Sequence, residues 1–157
     1  MSFPHYSLVN VFKDVPHELL DMLVRSMDSA SYVKGDYIYE KNDAAENFYI
    51  VKKGKALLQQ GSDDETLITL GALKIGYCFG WSSLFPDQLH KHSVVCAEPC
   101  QIAFIKGADL LQLLKAEGRP GFDLLFNLCR LLKDRLDLRT EQLTRAIETH
   151  PQLQNIE

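Results

Sequence analysis

Between Ser29 and Ile105 turns cut the chain into short apolar runs, and this rhythm constrains the fold more than any other feature of the sequence. Tyr32-Val33 ends at Gly35-Asp36, and Tyr37-Ile38-Tyr39 leads into the polar stretch Lys41 to Glu46. Phe48-Tyr49-Ile50-Val51 is followed by Lys53-Gly54-Lys55, then by Ala56-Leu57-Leu58. Gly61-Ser62-Asp63-Asp64 reads as a hairpin loop before a run from Thr66 to Leu70. Ser93-Val94-Val95 and Ile102-Ala103-Phe104-Ile105 are joined through Glu98-Pro99, where the missing proline donor does no harm. Turns recurring about every 10–15 residues around runs this short predict an antiparallel sandwich or barrel.

The flanks have a different period. Leu19, Met22, Leu23 and Met27 share one helical face, with Asp14 placed to cap and Pro16 in the first turn. Gly107 to Lys115 predicts a short helix, Gly118-Arg119-Pro120-Gly121 interrupts it, and a long helix is expected from Phe122 to Thr149. Leu124, Leu125, Leu128, Leu131, Leu132, Leu136 and Leu138 form its wide apolar stripe. A helix of about 28 residues is roughly 42 Å long and overhangs a barrel of this size. Part of the stripe is therefore expected to meet a partner, most simply a second copy of the chain.

With 157 residues the chain is expected to be a single domain, with the barrel over 29–106 and the C-terminal helices over 107–149. A net charge of −4 argues against a nonspecific nucleic-acid coat or a polybasic membrane anchor. No apolar stretch is long enough to cross a bilayer and no secretory leader is visible, so a cytoplasmic protein is expected. Cys78, Cys96, Cys100 and Cys129 have apolar neighbours and no C-x-x-C spacing, and are read as buried thiols.

Ile75 to Pro86 breaks the strand rhythm. The segment Ile75-Gly76-Tyr77-Cys78-Phe79-Gly80-Trp81-Ser82-Ser83-Leu84-Phe85, followed by Lys91-His92-Ser93-Val94-Val95, resembles the cyclic nucleotide-binding domain of the catabolite-activator superfamily. Supporting landmarks are Lys34-Gly35-Asp36-Tyr37-Ile38-Tyr39-Glu40 and Phe48-Tyr49-Ile50-Val51-Lys52-Lys53-Gly54, so the resemblance runs over roughly residues 10–145. It implies a mainly β fold with α: a jelly-roll β-barrel with an N-terminal helix, a short phosphate-cassette helix and a long C-terminal helix. It also implies a non-enzymatic, ligand-sensing regulatory module without a tightly held cofactor, whose ligand is cAMP, cGMP or a related small anion. The superfamily's DNA-binding domain normally follows the long helix. Only Pro151 to Glu157 follow here, so no direct nucleic-acid contact is expected.

Such a cradle needs backbone N–H groups at a glycine turn, hydroxyls and a cation. The resemblance places Phe79, Gly80, Trp81, Ser82, Ser83, Lys91, His92 and Ser93 around the ligand, with Arg139 and Thr140 of the long helix near the base. Two positions depart from the family pattern. Trp81 stands where a Glu accepts from the ribose, and an indole only donates. Lys91 stands where an Arg pairs with the phosphate, and a lysine lacks the bidentate fork. A cyclic nucleotide held by altered contacts, another anion in the same cradle, and a protein-interaction or dimerisation module without ligand all remain open. Trp81 reads equally well as a core aromatic closing the barrel mouth, and Ser82 and Ser83 as helix caps.

Two other chemistries compete. His90 and His92, with Glu98 on the same strand face, suggest a cupin-like metal-binding barrel, although the spacing to the Glu is off and no metal is assigned. Ser82, Ser83 and His92 lack both the second glycine of a nucleophile elbow and a carboxylate to orient the imidazole, so no catalytic residue is assigned.

Overall fold

The computed structural model describes residues 15–61 and 66–154. Asp14 and the turn Ser62-Asp63-Asp64 lie outside the described residues. Helix α1 (His17–Ser26) begins directly after Pro16 and buries Leu19 and Leu23. Among the described residues eight strands follow: β1 (Asp28–Tyr32), β2 (Tyr37–Tyr39), β3 (Asn47–Lys53), β4 (Ala56–Gly61), β5 (Leu67–Leu73), β6 (Cys78–Phe79), β7 (Ser93–Cys96) and β8 (Cys100–Lys106). They form two four-stranded sheets, ordered β1-β8-β3-β6 and β2-β7-β4-β5, with every pairing antiparallel. Helices α2 (Gly107–Ala116) and α3 (Arg119–Thr149) close the chain, apart from a 3-10 turn at Pro151–Gln154.

The centre of the first sheet is buried on both faces, which explains why β3 is continuously apolar rather than alternating. Phe48 and Ile50 of β3, Ala103 and Ile105 of β8, and Cys78 of β6 face a core shared with all three helices. Tyr49, Val51, Ile102 and Phe79 face the opposite way, into the barrel with Tyr39, Ala56, Leu73 and Val94. The helix-side core includes Leu19, Leu23, Leu110, Leu114, Leu124 and Leu128. A small cavity lined by Leu23, Phe48, Cys78, Leu128 and other apolar side chains lies within it.

The long helix starts three residues earlier than expected. Pro120 sits in its first turn, where a missing N–H costs no helical hydrogen bond. A methyl group on Gly121 would overlap the Leu114 carbonyl, so α3 leaves α2 in close backbone contact. One expectation for the thiols is corrected: Cys78, Cys96 and Cys100 are buried, but Cys129 is exposed on α3, on the side turned from the barrel. Among the described residues no helix is long and apolar enough to cross a membrane.

Candidate functional site

After β6 the chain reverses through Gly80 into a 3-10 turn, Trp81–Leu84. Gly80 has φ = 78°. A Cβ there would stand 2.6 Å from both the Asn47 carbonyl oxygen and the Tyr49 ring, so only glycine fits. The buried Ser83 hydroxyl donates to the Gly80 carbonyl at 2.7 Å, tightening the turn. Gly107, the first residue of α2, lies directly on the Ser83 carbonyl, and its own N–H donates to Glu46. The turn is therefore clamped between β3 and the start of α2.

The segment before β7 closes the other side. Asn42 N–H donates to the His90 carbonyl, His90 N–H to the Asp43 carbonyl, and Lys41 N–H to the Ser93 hydroxyl. His90 is only 2% exposed. Its ring stacks on Tyr39, centroids 3.5 Å apart and 5° from parallel, beside the Tyr49–Phe79 stack of the barrel interior. Its Nε2 is buried with no hydrogen-bond partner among the described residues, and so is Trp81 Nε1.

Helix α3 completes the mouth. Arg139 donates to the Leu70 carbonyl of β5 and, at 2.8 Å, to Gln142 Oε1. It reaches the strand because Gly71 has no side chain: a Cβ there would lie 2.7 Å from Nη2. One helical turn earlier, the Arg135 guanidinium lies over Tyr77 and Trp81, its Cζ 5.4 and 5.7 Å from the ring centroids. His92 is half-buried, and burial and the neighbouring charges of Lys41 and Arg139 hold its pKa below the usual histidine value. Lys41 of the β2–β3 loop and Arg139 of the long helix thus converge on His92, in the segment before β7.

The profile of the family described as the cyclic nucleotide-binding domain matches residues 29–117, the barrel together with α2. The chain belongs to this family. Human cGMP-dependent protein kinase 2 is 29% identical over 93 residues, which are 57% of this chain and 12% of the kinase. Thermus thermophilus catabolite activator protein is 25% identical with a TM-score of 0.74, over 86% of this chain and 63% of that one. A cyclic nucleotide-binding domain from Methylobacillus flagellatus shares the fold at 16% identity, with a TM-score of 0.79 over 89% of this chain and 82% of that one.

In this cyclic nucleotide-binding domain only some of the expected site residues come together. Gly80, Ser82 and Ser83 form the turn, but Ser83 commits its hydroxyl donor to that turn. Phe79 is part of the barrel interior, stacked on Tyr49. Trp81 packs edge-on against Phe48, 5.1 Å away at 83°, and so joins the helix-side core while one face meets Arg135. His92, Ser93 and Arg139 come together with Lys41. Lys91 is exposed and makes no hydrogen bond or ion pair among the described residues. The Thr140 hydroxyl donates along its own helix to Leu136.

The cupin-like geometry does not form. Strand β7 begins only at Ser93, so His90 and His92 precede it, and the exposed Glu98 follows it in the next turn. Residue-type reasoning passed over Arg135, Lys41 and Tyr77. For Arg135 there was a clue: it falls within about 20° of the line through Leu124 and Leu128 at 100° per residue, the register that faces the barrel.

The orphaned imidazole has a consequence for stability. Burial lowers the His90 pKa, with Asp43 acting weakly in the opposite direction. The unfolded chain takes up this proton near pH ~6.5, whereas the folded chain resists it. Its penalty is therefore absent above about pH 6.5 and grows as pH falls toward the folded pKa. Urea midpoints measured from pH ~7.5 down to ~5.5 should fall, and His90→Phe, which keeps the ring stack, should flatten that slope. An unchanged slope would mean that another group drives the acid response.

Proposed function

We propose that the domain is a non-enzymatic sensor that binds a cyclic nucleotide or a related small anion at the barrel mouth and signals through α3. The observation that carries this reading is the contact of Arg139 with β5 beside His92, which puts the long helix and the segment before β7 at one cationic site. An anion there touches both elements at once, so its binding energy bears on how α3 packs. In this reading Gly80, Ser82, Ser93 and Lys91 supply backbone, hydroxyl and rim-cation donors to the same ligand. Family membership supports a nucleotide as the anion, and the kinase relative supports a cyclic one.

The output is proposed to pass through a homodimer on α3. Leu132, Leu136 and Leu143 are exposed, and with the half-buried Leu125 they fall within about 20° of one line along the helix, roughly 80° around from the Leu124–Leu128 face. A continuous apolar line of this kind fits a two-fold helix pair. Free thiols at Cys78, Cys96, Cys100 and Cys129 favour a reducing compartment, the cytoplasm.

A thermal-shift panel of cAMP, cGMP, cyclic dinucleotides, nucleotides and organic acids tests the ligand class. A saturable rise in Tm with at least one cyclic nucleotide is expected, because a ligand that binds only the folded state stabilises it by mass action. No shift with any member at millimolar concentration would instead favour an interaction module without ligand.

A further inference from the structure

We infer that the phosphate of the ligand is held by Arg135 of α3, paired with Arg139, and not chiefly by a cation of the loop before β7. The inference rests on the sensor reading above and assigns the main anion contact within it.

Arg135 lies in the inward register of α3, continuing the line of Leu124 and Leu128, where an ordinary helix would bury another leucine. Its guanidinium is sandwiched near Tyr77 and Trp81 at the barrel mouth. It has no hydrogen bond or ion pair among the described residues. Its electrostatic neighbours are Cys78, Tyr77, Arg139 and Tyr39, none of them a carboxylate, and burial pulls its pKa below the usual arginine range. A partly buried guanidinium beside a second one, with neither paired to an acid among the described residues, is an unfavourable arrangement without a ligand. An anion between Arg135 and Arg139 removes that penalty and can use the planar fork of each. Lys91, by contrast, is exposed and carries a single point charge.

Two further atoms point to the same place. His90 is almost wholly buried on Tyr39, a side chain within electrostatic range of Arg135, and its Nε2 lacks a partner. Trp81 Nε1 is likewise unpaired. Orphaned buried donors or acceptors are rare in folded proteins; one of these is on the indole under Arg135 and the other on the ring stacked on Tyr39. Trp81, at the position for which the resemblance implies a Glu, then serves as a platform for the guanidinium.

Trp81 is the single tryptophan of the chain, so its fluorescence reports on the Arg135 contact directly. The test titrates cAMP, cGMP and inorganic phosphate into the full chain and into Arg135→Gln, Arg135→Lys, Lys91→Ala and Lys133→Gln, with calorimetry alongside. Lys133 is an exposed cation paired with Asp137 on the same helix and controls for charge alone. Arg135→Gln should weaken binding of the best ligand by at least about tenfold and abolish the ligand-induced fluorescence change. Arg135→Lys should recover part of the affinity, Lys91→Ala should cost only a few-fold, and Lys133→Gln should match the parent. Parent-like or tighter binding by Arg135→Gln would overturn the inference while leaving the sensor reading intact, and would make Arg135 a plug over Tyr77 and Trp81. A greater loss with Lys91→Ala than with Arg135→Gln would also overturn it, returning the contact to the loop. Failure of the parent chain to bind any of the three probes would overturn this inference, and failure across the whole thermal-shift panel would remove the sensor reading with it.

Discussion

Gly107→Ala is expected to destabilise the domain by about 3 kcal/mol or more, the upper range for overpacking a tight site. The added methyl would overlap the Ser83 carbonyl, and backbone cannot rotate out of the way as the tip of a side chain can. The Gly107 N–H also donates to the Glu46 carbonyl at 2.9 Å, so a shift of α2 that relieves the overlap breaks this bond. For a domain of this size the penalty corresponds to a Tm drop of roughly 6–12 °C. The consequence reaches the site, because Ser83 O belongs to the turn that begins at Gly80. Urea denaturation measures the loss directly. A change below about 0.5 kcal/mol, the scatter of ordinary surface substitutions, would show that α2 does not clamp the turn.

The second large effect concerns assembly. Leu136 is 66% exposed and sits at the centre of the apolar line formed with Leu132 and Leu143. Leu136→Glu would place two carboxylates against each other across a two-fold helix pair, in a desolvated setting where like charges repel strongly. The parent chain should sediment as a dimer at micromolar concentration and the variant as a monomer, a change in Kd of at least about a hundredfold. Fold stability measured on the monomer should hardly move, since the side chain is already 66% exposed in the single chain. Monomeric parent protein at the same concentration, or a dimer that survives Leu136→Glu, would remove α3 as the interface.

Much of the barrel was legible because its turns carry residues with specific backbone chemistry. Gly35-Asp36 is a case in point: Asp36 accepts from Val33 N–H through its carboxylate at 2.9 Å, and Gly35 takes φ = 91°. The two-sided burial of β3 was visible as an unbroken apolar run. The start of α3 was obscured by Pro120 and Gly121, which read as breakers but stand in the first helical turn, where each is tolerated. The exposure of Cys129 depends on which side of α3 meets the barrel, and its apolar neighbours do not reveal that.

The site itself was half legible. Gly80 and its hydroxyl neighbours stood out by residue type, and Arg139 by family position. The direction of Trp81 follows from the left-handed backbone at Gly80, which turns the indole toward Phe48 and the helices. The meeting of Lys41, His92 and Arg139 joins segments about 50 residues apart in sequence, and only the fold brings them together. Arg135 was hidden among leucines, although its register relative to Leu124 and Leu128 already aimed it at the barrel.

Amide hydrogen exchange on the full chain, with and without the best cyclic nucleotide at saturation, tests the central claim most directly. If an anion joins the barrel mouth to the long helix, protection should rise together in residues 80–93 and in the 131–143 stretch of α3, with the outer strands unchanged. Protection confined to either stretch alone, or an identical exchange pattern with and without ligand, would contradict a sensor that signals through α3.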